Sequence, residues 1–224
     1  MSADRPRADP PPADPPLADL PVEVPVSARE TVYSGFVWDI VRETFELPES
    51  ARPLTRDKMA HPGAVAVAAV DDEDRILLLQ QYRHPIRTRD WEVPAGLLDV
   101  SGEDPAAGAA RELGEEADLR AEDWHTLADL FTSPGGSDER VRIYLARGVT
   151  AVPEEEHHER EDEESGIVLR WVPLDEARDA VLGGRVRNAI AALAVFHAHA
   201  ARSRGWTGLR PADAPWEDRG AARS

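Results

Sequence analysis

The sequence predicts an α/β (α+β) fold, a mixed β-sheet sandwiched between helices and preceded by a small antiparallel sheet. Three observations carry this reading. Short apolar, β-prone runs recur between residues 63 and 174, interrupted once by a helical segment at 104–117. Two more helical segments follow at 175–203. A separate β-prone stretch, 29–61, comes ahead of them all. Strands with one helix inserted and others appended can cover both faces of a sheet.

Residues 1–27 are rich in Pro, Ala and Asp and show no period of 2 or 3.6, so a disordered tail is expected. In ETVYSGFVWDIVRETFEL, aromatic and β-branched residues flank Ser34-Gly35, a turn signal. LTRDKMAH adds a short strand. These segments define an N-terminal sheet, 28–62, too small to bury its own core and therefore suited to dimerisation. The main domain spans 63–204. GAVAVAAV reads as a buried strand, Asp71–Asp74 as a hairpin turn and RILLLQQYR as its partner. WEVPAG is a short strand ending in a turn. DPAAGAARELGEEA is a helix, with Asp104 as N-cap and Pro105 at the first helical position. HTLADLFT, ERVRIYLARGV and GIVLRWVPL are strands. DEARDAVLGG is a helix ended by glycines, and NAIAALAVFHAHAARS is an apolar helix. Residues 205–224 are a turn-rich tail that Trp206 and Trp216 are placed to pin to a surface.

The 224 residues include 42% hydrophobic residues, enough for a sizeable core. No run approaches the roughly 20 apolar residues of a membrane span. The first residues lack the apolar core of a secretory leader. There is no cysteine, which excludes disulfides, zinc–thiolate sites and cysteine nucleophiles. A cytoplasmic protein with no membrane partner is expected. The net charge of −17, from 43 acids and 26 bases, disfavours nucleic acid as a partner. An anionic small molecule would need a cation to mediate its binding.

The chemistry concentrates in Gly96–Leu119. At 100° per residue, Glu112 and Glu116 fall nearly on one line of a helix, with Glu115 beside them. Ala106, Ala110, Leu113 and Ala117 share another face, expected to pack on the sheet. Each like-charged pair on the helix costs roughly 0.2–0.5 kcal/mol, and Arg111 offsets only part of that. A hard divalent cation would convert the cost into binding. A solvated acidic face is the plain structural alternative.

The spacing favours the cation. This segment resembles the signature of the Nudix hydrolase family, G-x5-E-x7-R-E-U-x-E-E-x-G-U, where U is aliphatic. Here Gly96 is followed by six residues, Glu103, seven residues, then Arg111-Glu112-Leu113-Gly114-Glu115-Glu116-Ala117-Asp118-Leu119. The extra residue lengthens a loop. Asp118 replaces the second glycine, where a left-handed residue should end the helix. Asp tolerates that conformation, so a small stability cost and full activity are expected. QYRHPIRTRDWEVPAGLLD resembles the lead-in to the box in the ADP-ribose pyrophosphatase branch. So does Pro134, fifteen residues past Leu119. An N-terminal dimerising sheet is another habit of that branch. The resemblance covers about residues 29–205.

It implies a metal-dependent pyrophosphatase that cleaves ADP-ribose to AMP and ribose 5-phosphate, with Mg2+ as cofactor or Mn2+ in its place, working as a homodimer. Glu112 and Glu116 would ligate the metal with the carbonyl of Ala95. Glu115 would take a second metal or a water. Arg111 would orient a neighbouring glutamate and Glu103 would brace the loop and helix, both largely through a salt bridge. The general base in this branch comes from a loop before a late strand, here EEEHHEREDEESG, with eight acids between Glu154 and Glu164. Glu164 is the first candidate, being nearest the following strand; Glu163 is the second, and Glu161 the third if the loop folds back. Most of these acids must simply be solvated, and His157 and His158 read as exposed, with no partner in view. Arg83 is a candidate for phosphate contact or for a strand-end salt bridge. Ser137, Asp138 and Glu139 could bind ribose hydroxyls or merely decorate a glycine-rich turn. Arg56, with Phe36 or Trp38, could sandwich adenine across a dimer, although packing accounts equally well for the aromatics. The competing functions are a Nudix hydrolase of another nucleotide sugar, nucleoside triphosphate or dinucleoside polyphosphate, a non-catalytic ADP-ribose-binding regulator, and an acidic cation-binding protein. The intact box and the absence of a basic domain argue against the last two.

Overall fold

The computed structural model describes residues 17–160 and 164–216. The chain divides into two compact units after Ala60. In the first, β1 (Val26–Ser34), β2 (Asp39–Phe45) and β3 (Leu54–Ala60) form an antiparallel sheet in that order. β1 starts inside the stretch expected to be tail, because β2 runs on to Phe45 and pairs it with Val26. The turn falls at Gly35, whose N–H donates to the Trp38 carbonyl at 3.2 Å. A Cβ at Gly35 would lie 2.6 Å from that oxygen, so the turn needs glycine there. Cross-strand pairs such as Arg29–Glu43 and Arg42–Asp57 hold the register. Val41 is the sole buried residue among the described positions of this unit.

The second unit contains β4 (Ala64–Ala69), β5 (Arg75–Arg83), β6 (Thr88–Glu92), β7 (Ala95–Leu97), α1 (Pro105–Ala117), β8 (Leu119–Phe131), β9 (Arg140–Ala151), β10 (Val168–Pro173), α2 (Leu174–Leu182), α3 (Ala189–Ser203) and β11 (Arg210–Pro211). Its larger sheet has the order β11-β8-β9-β4-β7. It is mixed, because β4 and β9 run parallel while the other pairs are antiparallel. A smaller antiparallel sheet has the order β10-β5-β6.

Strand β4 shows why its run is continuously apolar. Successive side chains point to opposite faces. Ala64, Ala66 and Ala68 join the core that contains Ala191, Ala194, Val195 and Ala198 of α3. Val65, Val67 and Ala69 join the core that contains Ala109, Leu113 and Ala117 of α1. The sheet is thus packed between helices, as the sequence predicts.

Helix α1 is rotated from the expected pose. Ala109 is buried, whereas Ala110, expected on the packing face, is exposed. The rotation brings Gly108 and Glu116 inward as well. Both helix ends follow the sequence reading. Asp104 accepts from the N–H groups of Ala106 and Ala107, and Pro105 opens the helix. Asp118 ends it at φ 53°, ψ 42°, donating its N–H to the carbonyls of Leu113 and Gly114.

Two strand expectations change. β4 and β5 flank the predicted turn but share only the Val70–Ile76 bridge. Both edges of β4 are taken by β9 and β7, so β5 pairs with β6 and β10 instead. WEVPAG splits into the end of β6 and the start of β7, which lie in different sheets. The break falls at Pro94, which has no N–H to continue a ladder; its carbonyl accepts from Val67 N at 2.7 Å.

The C-terminal segment adds β11 to the edge of β8. The guanidinium of Arg147 stacks 4.3 Å from the Trp206 ring and that of Arg142 4.8 Å from the Trp216 ring. Arg142 also donates to the carbonyls of Ala214 and Pro215. The two tryptophans therefore pin the segment as expected. Among the described residues, no helix is long and apolar enough to cross a membrane.

Candidate active site

Strand β7 and helix α1 build the site together. β7 pairs with β4 in the register Val65↔Gly96 and Ala66↔Ala95, which fixes its backbone. Helix α1 then carries two glutamates onto that short strand. The Glu116 carboxylate accepts from Ala95 N at 2.9 Å and is only 6% exposed. The Glu112 carboxylate lies against the Cα of Gly96. A Cβ at Gly96 would stand 2.0 Å from the Glu112 carboxyl carbon, so only glycine admits this approach. The i,i+4 spacing of the sequence thus becomes two carboxylates converging on Ala95–Gly96.

Arg111 gathers the other acids. Its Nε and Nη2 donate to Glu103 at 3.1 and 3.3 Å. Its Nη1 donates to Glu112 at 2.7 Å and to Glu115 at 3.0 Å. These carboxylates, Glu103 first and then Glu112 and Glu115, hold the guanidinium's pKa well above its ordinary value. Glu103 packs so closely on the helix that a Cβ at Gly108 would lie 2.9 Å from its oxygen. Gly108 was not singled out in the sequence. Its signal is a small residue one turn before Arg111 on the side facing Glu103.

Three carboxylates, Glu103, Glu112 and Glu115, thus share one guanidinium, and a fourth, Glu116, lies one helical turn from Glu112 on Ala95 N. Partly buried anions in excess of cations are costly unless a further cation joins them. The donor set is all oxygen and hard, which fits a divalent cation of the magnesium type. Among the described residues no three metal-ligating side chains stand together as a ready-made cage. Glu112 and Glu115 are engaged by Arg111, and Glu116 touches Ala95 through its N–H.

Arg83 ends β5 and grips Glu92 with two hydrogen bonds of 2.7 Å, so the strand-end salt bridge is present. Glu92 is buried and also accepts from Gln81 at 3.4 Å. Glu92 is not among the residues the sequence marks out; its one signal is a glutamate between Trp91 and Val93 in a strand. Arg83 keeps 42% of its side chain exposed, so the salt bridge and an anion contact do not exclude each other.

Pro134 lies exposed in the turn between β8 and β9. That turn meets the sheet where Ala64 pairs with Val141 on one side and Leu97 on the other, beside the loop that leads into α1. Ser137 accepts from Glu139 N at 3.0 Å, and Asp138 accepts from His61 N at 2.8 Å. Glu139 accepts from the Thr132 hydroxyl and lies 3.6 Å from His61 Nε2. All three therefore take part in holding the turn. In the first unit Arg56 is exposed on β3 and donates to the Thr55 carbonyl at 2.8 Å. Phe36 and Trp38 are exposed in the β1–β2 turn.

The acidic loop is anchored earlier than its sequence suggests. Glu154–Glu156 form a 3-10 turn, and Glu156 pairs with Arg120. His157 is not without a partner: its Nε2 lies 3.0 Å from the Val152 carbonyl. His158 is exposed, as expected. Arg160 donates to Asp118 and, at 3.1 Å, to the carbonyl of Glu115. Glu161 and Glu163 lie outside the described residues. The backbone of Glu164 opens a 3-10 turn, Glu164–Gly166, just before β10.

A mixed sheet between helices, with a carboxylate-bearing helix set against a short strand, makes an α/β domain with a carboxylate-centred candidate site. The NUDIX domain family matches residues 59–193, and the chain belongs to that family of hydrolases. It is similar to an ADP-ribose pyrophosphatase of Mycobacterium tuberculosis (strain ATCC 25618 / H37Rv), with 44% identity covering 86% of this chain and 91% of the relative. It is also similar to an ADP-ribose pyrophosphatase of Bacillus subtilis (strain 168), with 37% identity covering 78% and 91%. Among solved structures, one described as an ADP compounds hydrolase has a TM-score of 0.68. It covers 84% of this chain and 99% of its own; at 20% identity it speaks for the fold alone.

Proposed function

We propose that the protein is a metal-dependent pyrophosphatase that hydrolyses ADP-ribose to AMP and ribose 5-phosphate. The observation that carries this reading is the convergence of Glu112 and Glu116 on Ala95–Gly96 within a set of four carboxylates and one guanidinium. The substrate assignment is supported by the two relatives named ADP-ribose pyrophosphatase.

Glu112 and Glu116 would hold Mg2+, or Mn2+ in its place, with the carbonyl of Ala95. When bound, the cation neutralises charge on the diphosphate and polarises the attacking water. The chain's own residues do the rest. Arg111 gathers Glu112 and Glu115 and aims them, and Glu103 braces it from the loop side. Glu115 holds a second cation or orients the water. Arg83 contacts a phosphate with N–H groups not used on Glu92. Ser137, Asp138 and Glu139 bind the ribose from the Pro134 turn. Glu164 accepts the proton of the attacking water, with Glu163 the alternative. A substrate series with Mg2+, read as released AMP or the corresponding nucleotide, tests this reading. ADP-ribose should be turned over at least tenfold more efficiently than any deoxynucleoside triphosphate. Equal or better turnover of the triphosphates, or of another nucleotide sugar, would replace the substrate.

The reading includes a homodimer formed through the first unit. Its sheet buries only Val41, while β1 is exposed along its full length and presents Val26, Val32 and Tyr33 to solvent. A sheet of this size with so little core is marginal alone. Sedimentation at micromolar concentration should give twice the chain mass; a fully active monomer would remove the dimer.

A further inference from the structure

The family signature has glycine where this chain has Asp118, and the structure shows that this side chain does more than tolerate a left-handed backbone. Its Oδ2 accepts from Arg160, the last described residue of the acidic loop before Glu164. Arg160 also donates from Nε to the carbonyl of Glu115, 3.1 Å away, in the last turn of α1. Both partners are shielded, with side-chain exposures of 18% for Asp118 and 22% for Arg160. A pair so placed is screened less than one on the open surface. The cation also sits where the helix dipole is negative. Upstream, the Arg120–Glu156 pair and the His157–Val152 contact hold the loop's first half. The backbone adds a third tie, from Val152 N to the Asp118 carbonyl at 2.9 Å.

We infer that Asp118 and Arg160 form a clasp that positions the acidic loop on the end of the box helix, and that turnover depends on it. Glu115 and Glu116 belong to the helical turn that the clasp seizes, so the loop and the box carboxylates are placed by one set of contacts. Glu164 follows Arg160 by four positions, a reach of at most about 14 Å. The inference rests on the proposed reading, in which a glutamate of this loop acts as base. Asp118 and Arg160 are positioning residues, and neither is assigned contact with substrate.

The test uses full-length Asp118→Gly, Arg160→Ala, Arg160→Lys and the double variant Asp118→Gly/Arg160→Ala, assayed with ADP-ribose and Mg2+. Glycine keeps the left-handed helix end, so Asp118→Gly should leave the melting temperature nearly unchanged. Each removal should lower kcat about 5- to 10-fold with KM within twofold, and the double variant should be no worse than either single. Arg160→Lys should recover part of the loss. Hydrogen exchange should quicken in residues 154–160 and 164–166 and stay unchanged in α1. Unchanged kcat in both single variants overturns the clasp. So do losses that multiply in the double variant, or losses matched by faster exchange throughout α1. Glu164→Gln in the same assay separates the two readings. Full turnover in that variant removes Glu164 as base, while the clasp is still decided by exchange and non-additivity.

Discussion

Glu116→Gln is expected to lower kcat for ADP-ribose at least about 100-fold, equivalent to about 2.7 kcal/mol of barrier. The amide keeps an oxygen that can accept from Ala95 N, so the local hydrogen bond survives. What it loses is the negative charge required to hold a cation against the substrate diphosphate. The fold should be unharmed or slightly steadier, because one of four crowded carboxylates has been neutralised. Glu112→Gln should behave alike, since it retains its packing on Gly96. Steady-state kinetics at saturating Mg2+, together with thermal melting, checks both. Near-normal turnover in either variant would return the acidic cluster to a solvated helix face.

Gly96→Ala should give a loss of about 10- to 100-fold in turnover with little loss of stability. The new Cβ would lie 2.0 Å from the carboxyl carbon of Glu112, so one of the two must move. The yielding group is the end of a flexible side chain, and Gly96 does not have a positive φ. The fold therefore has an inexpensive way to accommodate the methyl, by swinging Glu112 away from Ala95–Gly96. A stability change within about 1 kcal/mol, or a few degrees in Tm, is expected for a domain of this size. The double variant Gly96→Ala/Glu112→Gln should be no slower than Glu112→Gln, because both changes remove the same carboxylate from the site. Full turnover in Gly96→Ala, or additive losses in the double variant, would show that Glu112 acts elsewhere.

Much of the scaffold was legible in the chain because its signals are local. Asp104-Pro105 marks a helix start through the chemistry of an N-cap and a missing N–H. Asp118 marks its end because few residues enter the left-handed region. The unbroken apolar run of β4 reports burial on both faces. The face shared by Glu112 and Glu116 follows from helical geometry alone.

What was illegible depends on partners distant in sequence. The turn at Asp71–Asp74 reads as a hairpin, yet β5 leaves for another sheet because β7 and β9 occupy the edges of β4. The choice of Ala109 over Ala110 as a core residue depends on the rotation that seats α1 against β7. Arg83 finds Glu92 only because β5 and β6 pair in one register. The loop's anchorage through Arg160 is invisible in a run of acids, where a lone arginine reads as charge dilution. Nearness to β10 favours Glu164 as the base, and Arg160 gives the loop a second fixed point at the end of α1.

In the proposed mechanism Glu112 and Glu116 hold a divalent cation, and its presence is required for cleavage of the diphosphate. That requirement is tested most directly by AMP release from ADP-ribose after thorough chelation, followed by graded return of Mg2+. Chelation should abolish turnover in the wild-type protein, and Mg2+ should restore it. Glu116→Gln should not recover at the same Mg2+ concentrations. Turnover that survives chelation, or full recovery in Glu116→Gln, would contradict this mechanism.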